Sequence, residues 1–74
     1  MKQLAWETVA AALNFLGCAV AKDTEHRLHL VRGAVVIQVL QKLSPVTVKK
    51  QRDLLERFSF EEEEYLAAVA AVTR

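Results

Sequence analysis

Apolar residues recur along this chain at intervals of three and four, and that period predicts four helices. In residues 3–21, Trp6, Val9, Leu13, Leu16 and Val20 share one stripe, Leu4 and Phe15 fall nearly opposite, and Glu7 and Asn14 hold one edge. A helix apolar on two sides needs cover on two sides, and in a short chain the second cover is expected from another subunit. The next segment, residues 24–43, contains the most aliphatic stretch, GAVVIQVLQKL. Beyond Gly33, Val35, Val36, Val39, Leu40 and Leu43 cover a broad arc opposite Gln38, Gln41 and Lys42. Before Gly33, the same arc carries Glu25, His26, His29 and Arg32.

Two structures account for this change of phase. A helix capped by Asp23 or Thr24 can kink at Gly33 or meet two different neighbours along its length. Alternatively, residues 27–40 form a hairpin, because Arg27-Leu28-His29-Leu30 alternates and the following run is rich in valine and isoleucine. Read as Arg32-Gly33, the turn is weaker than Asn-Gly, since arginine resists a positive φ at the first turn position. No strand elsewhere completes a sheet, and an isolated hairpin is marginal. The helix is therefore the favoured reading.

Ser44-Pro45 is the clearest punctuation, suited to the cap and first position of a third helix over residues 46–57. There Val48, Leu54, Leu55 and Phe58 lie opposite Lys49, Lys50, Arg52, Asp53, Glu56 and Arg57. A fourth helix, residues 60–73, starts at Ser59, which has capping-box spacing to Glu62. Glutamates 61 to 64 occupy its positive end, and Tyr65, Leu66, Val69 and Val72 form its buried stripe.

Composition sharpens the expectation of self-association. Seventy-four residues make one domain, near the size at which a single core is marginal, and 53% of them are hydrophobic. One cysteine excludes an internal disulfide, so assembly is the remaining source of added stability. A net charge of +1 gives no global pull towards nucleic acid or anionic lipid. The start of the chain also has an export reading, because Ala19-Val20-Ala21 has the form of a secretory cleavage site and Phe15-Leu16-Gly17-Cys18 that of a lipoprotein site. Glu7 and Asn14 interrupt the apolar run and a single lysine precedes it, so a helix of a cytoplasmic domain is the expectation.

No catalytic constellation is visible: there is no glycine-rich phosphate loop and no recognisable nucleophile motif. His26 and His29 can approach one metal with Glu25 or Cys18 recruited, but without a second spaced pair they read as surface or interface histidines. No cofactor is expected. Cys18, in an apolar setting with no adjacent base, reads as a buried inert thiol. Arg32 falls on the aliphatic arc, where an unpaired charge is costly. Either that end of the arc is open to a partner, or Arg32 pairs with the glutamates at 61 to 64, within or between subunits. Lys49, Lys50, Arg52 and Arg57 invite a nucleic-acid reading. Pairs such as Lys49–Asp53, Arg52–Glu56 and Asp53–Arg57 make a partly self-neutralised solvated face the simpler one.

From Gly33 onward the order of features is a glycine before an aliphatic helix (GAVVIQVLQKL), a polar break (SPVT), a short basic amphipathic helix (VKKQRDLLERF) and an acidic start to a last helix (EEEEYLAAV). This order, over residues 33–74, resembles the small enterobacterial YmgB/AriR family of biofilm and acid-resistance regulators. The resemblance implies an all-helical bacterial homodimer that regulates transcription or signalling through protein contacts, with or without DNA contact. It implies no individual functional residue.

The expected protein is thus an all-α domain spanning residues 1–74, a small bundle of about four helices that dimerises through its first two. Its expected role is a non-enzymatic regulatory or adaptor function through protein–protein interaction, with Leu4, Trp6, Phe15, Glu25, His26, His29 and Arg32 as partner-facing residues. The alternatives are a DNA-binding regulator using the basic helix, a chaperone or escort for a secreted or assembling partner, and, for the fold, an α+β domain with a hairpin at residues 27–40.

Overall fold

The computed structural model describes residues 1–39 and 45–74, and the chain is α+β. In order come α1 (Trp6–Phe15), β1 (Ala19–Asp23), β2 (Leu28–Arg32), β3 (Val35–Val39), α2 (Val48–Phe58) and α3 (Glu62–Val72). The all-α helical bundle is overturned by a three-stranded antiparallel sheet of order β1-β2-β3. The hairpin kept as an alternative is the structure adopted. The Ser44 cap and the Leu40 and Leu43 positions of the expected arc lie outside the described residues.

The first expected helix, residues 3–21, ends at Phe15 because Gly17 adopts φ 103°, a left-handed value at which L side chains are strained. Its N–H donates to the Asn14 carbonyl at 3.0 Å, and the Cys18 N–H reaches back to Leu13 at 3.0 Å. These bonds close the last turn and release Ala19 to Asp23 as a strand. The second expected helix is the hairpin β2–β3. Its two-residue loop is Gly33-Ala34, with Gly33 at φ 58°. Glycine at the first loop position supplies the positive φ that a type II′ turn needs there. Moving the turn by one residue from Arg32-Gly33 removes the objection to it.

The hairpin also dissolves the phase break at Gly33. In a strand, alternate residues share a face, and the register pairs Leu28 with Val39 and Leu30 with Ile37, all four buried. Their neighbours His29, Val31, Val36 and Gln38 occupy the other face. β1 supplies the third strand that was expected to be missing, with an irregularity between Val20 and Lys22 that leaves Ala21 unmatched.

The three helices contribute to a core on the inner face of the sheet. Leu28, Leu30, Ile37 and Val39 join Trp6, Val9 and Leu13 of α1, Leu54, Leu55 and Phe58 of α2 and Tyr65 of α3 in one buried cluster. Ala12 and Ala68, both fully buried, belong to α1 and α3 and allow these helices to approach closely. The caps differ from those expected. Thr47 caps α2, its hydroxyl accepting from the Lys50 N–H at 3.1 Å. Ser59 does not start α3. It ends α2 in a left-handed conformation (φ 60°), while the Phe60 N–H bonds the Leu55 carbonyl at 2.9 Å. The capping box of α3 is Glu61 with Glu64.

A buried polar network ties the helices to the N-terminal segment. Gln51 Nε2 donates to the Lys2 carbonyl (2.7 Å) and the Val46 carbonyl (3.1 Å), and the Tyr65 hydroxyl donates to Gln51 Oε1 at 2.8 Å. Leu4 and Val46 form an adjacent antiparallel bridge. Burial pushes the Tyr65 phenol up to about 12 from an ordinary value of 10.0. Because the folded value lies above the unfolded one, the stabilisation is fully present below pH 10 and is lost as pH rises towards 12. Tyr65→Phe is expected to flatten the fall in urea-unfolding free energy over that window by up to about 2–3 kcal/mol. An alkaline profile unchanged by the substitution contradicts this.

Candidate protein-interaction surface

The helices cover one face of the sheet, while the other carries Ala19 and Lys22 from β1, His29 and Val31 from β2, and Val36 and Gln38 from β3. Val31 and Val36 are cross-strand partners, with Val36 57% exposed. Val35, at the turn end of β3, is 41% exposed. Two of the large apolar side chains most open to water among the described residues are therefore consecutive on one strand.

That strand is also a sheet edge. In a hairpin closed by a two-residue loop, the pair flanking the loop exchanges hydrogen bonds and the pattern alternates from there. Arg32 with Val35, Leu30 with Ile37 and Leu28 with Val39 are then the bonded pairs. The N–H and C=O of Val36 and Gln38 point away from β2, out of the sheet. The same alternation turns the amides of His29 and Val31 towards β1, where they meet Lys22 and Ala19. β3 thus offers two outward peptide units in a five-residue strand without charge, proline or irregularity. The β1 edge is different, carrying the unmatched Ala21 and the charged Lys22 and Asp23. Such features discourage edge pairing.

Of the residues expected to face a partner, the structure brings only His29 onto this surface, half-buried on β2. Trp6 is 4% exposed and belongs to the core, and Leu4 is half-buried beside Val46. Phe15, 64% exposed, is the last residue of α1, just before the Gly17 turn, and is not part of a strand. Glu25 and His26 lie in the β1–β2 connection, with His26 Nε2 and Glu25 Oε2 3.9 Å apart and both side chains exposed. Thr24 closes that connection, its hydroxyl accepting from the Arg27 N–H at 3.1 Å. Among the described residues no group of three or more metal-ligating side chains gathers.

Within the chain, Arg32 meets groups other than the glutamates at 61 to 64. Its guanidinium donates to the Phe58 carbonyl at the C-terminal end of α2 and sits 4.0 Å over the Phe60 ring. A helix C-terminus presents open carbonyls and the negative end of the dipole, and an aromatic face attracts a cation, so the charge is satisfied without a carboxylate. Cys18 is buried, its thiol pushed up by that burial and drawn down in part by Arg32.

The basic helix is partly self-neutralised, as its spacing implies. Arg57 Nε lies 3.6 Å from Asp53, while Arg52 Nε reaches across to Glu62 of α3 at 3.4 Å instead of Glu56. Two of the four cations proposed for nucleic acid, Arg52 and Arg57, thus have carboxylate partners. A groove of about 280 Å³ beside α3, lined by Leu4, Leu66 and Val69, has the mutually bonded Gln51 and Tyr65 among its walls. Those polar groups already satisfy one another.

Val31, Val36 and Gln38 were not singled out from the sequence as surface residues. The signal that finds them is the period of two that His29, Val31, Val36 and Gln38 share once the turn is placed at Gly33-Ala34. No family model matches the chain, and neither a curated protein nor a solved structure matches it. Among the described residues, no helix is long and apolar enough to cross a membrane.

Proposed function

We propose that the protein is a small non-enzymatic regulatory or adaptor module that acts through protein–protein contact and assembles as a homodimer in the cytoplasm. The observation that carries this reading is a sheet that, among the described residues, is covered on one face only and ends in an uncharged, regular strand with exposed Val35 and Val36. Natural monomers blunt such edges with charge, proline or irregularity. The role in regulation is part of the proposal and follows only the later features of the YmgB/AriR resemblance, because its first feature, an aliphatic helix after Gly33, is the strand β3. Sedimentation velocity between about 5 and 500 µM tests the assembly, because association coupled to concentration shifts the populations by mass action. The weight-average mass is expected to rise from near 8.3 kDa towards twice that value. A mass fixed at one chain throughout contradicts the homodimer.

A further inference from the structure

The geometry points to a particular mode of assembly: we propose that the free edge of β3 pairs antiparallel with β3 of a second copy about a two-fold axis at Ile37. The two three-stranded sheets then become one sheet of six strands. This rests on the self-association proposed above and specifies its surface and register.

The outward peptide units fix the register. Only Val36 and Gln38 among Val35–Val39 direct their N–H and C=O away from β2. Centring the two-fold on Ile37 sets Val36 of one copy opposite Gln38 of the other, and the reverse, so four backbone hydrogen bonds form and no outward group in either strand is left over. A symmetric pair centred elsewhere aligns fewer residues of a strand this short.

The side chains agree with that register. Val35 comes opposite Val39 of the other copy on the core side of the sheet, and Ile37 meets its own counterpart there. On the outer face Val36 lies beside Gln38. No position opposes like charges, because the strand carries none. The pairing removes Val35 and Val36, 41% and 57% exposed in the single chain, from part of their water contact. A second copy fits better than an unrelated strand because this one sequence supplies both halves of the match. The net charge of +1 opposes association only weakly. Growth stops at two because the remaining edge, β1, carries the irregularity at Ala21 with Lys22 and Asp23. One strand per copy is a small interface, so a weak affinity on the order of 100 µM is expected.

Val36→Pro tests the pairing directly. Its N–H faces outward, so proline removes a donor from the dimer and none from the β2 ladder, the setting in which edge strands tolerate proline. Gln38→Lys is the companion variant, since it keeps every backbone donor and places two lysines diagonally across the two-fold. Sedimentation velocity and far-UV circular dichroism on wild type and both variants give the result. Wild type is expected to dimerise, and each variant to retain the wild-type spectrum while weakening the dimer about 30-fold or more. If Val36→Pro does not fold, Gln38→Lys decides alone. Folded variants that dimerise as tightly as wild type overturn the β3 pairing and leave the self-association reading standing. A wild type that stays monomeric overturns both.

Discussion

Leu30→Ala is expected to lower the unfolding free energy by about 2–5 kcal/mol, with the urea m-value unchanged. Leu30 is fully buried at the centre of the middle strand, paired with Val20 on one side and Ile37 on the other. Truncation opens a cavity bounded by two strands and the helical layer, where neighbours have little freedom to collapse. Total stability for 74 residues is on the order of 4–11 kcal/mol, so this single change removes a large part of it. Val31, next in sequence but on the open face, supplies the control. Val31→Ala is expected to cost less than about 1 kcal/mol in the single chain. Such a contrast between adjacent residues is the mark of a strand covered on one side. Equal losses at the two positions contradict the sheet described here.

Gln51→Ala is expected to cost about 2–4 kcal/mol, more than its polar character and helix position suggest. The side chain is 1% exposed and satisfies three partners on three parts of the chain: the Lys2 carbonyl, the Val46 carbonyl and the Tyr65 hydroxyl. Alanine takes this partner from the Lys2 carbonyl and the Tyr65 hydroxyl, while the Val46 carbonyl keeps its bond from the Leu4 N–H at 3.2 Å, and it leaves a void. Tyr65→Phe removes only one bond and is expected to cost about 1–2 kcal/mol. Because both substitutions act on the same hydrogen bond, the double variant should fall short of the sum by about 0.5 kcal/mol or more. Strict additivity in chemical denaturation shows that the network does not act as a unit.

The last two helices were legible in extent: Leu54, Leu55, Phe58 and Tyr65 are buried as their spacing requires, whereas Leu66, expected in the buried stripe, is 40% exposed and Ala68 is buried in its place. Their caps were less so. Ser44 and Ser59 compete with Thr47 and Glu61 for the same role within three residues, and spacing alone does not rank them. The sheet was missed for two local reasons. Gly17 sits inside an alanine-rich run that favours helix on both sides of it, although glycine just past the last periodic residue is a helix stop. Taking the turn as Arg32-Gly33 put arginine in the wrong place, and that one-residue frame error made a hairpin read as a kinked helix. Once β1 was hidden inside the first helix, no third strand remained to support the hairpin. The discontinuity at Gly33 did mark an important place, but its meaning was a change of direction. Arg32 escaped sequence reasoning because its partners, a backbone carbonyl at Phe58 and the ring of Phe60, carry no charge to search for.

The proposed contact rests on different positions from those the sequence pattern suggested. Glu25, His26 and Arg32 drew attention as polar residues on an apolar arc, yet a strand reading assigns them to a connection and to a helix cap. The edge is carried by Val36 and Gln38, whose side chains are ordinary and whose backbone direction matters.

Residue-resolved amide hydrogen exchange at about 5 and about 500 µM tests the β3 pairing most directly, since protection reports hydrogen bonds that must open before exchange. The Ile37 amide faces β2 and should be protected at both concentrations. The Val36 and Gln38 amides should exchange at nearly unprotected rates in the dilute sample and become protected in the concentrated one. If both exchange freely at the higher concentration while Ile37 stays protected, β3 is an open edge and the proposed assembly is wrong.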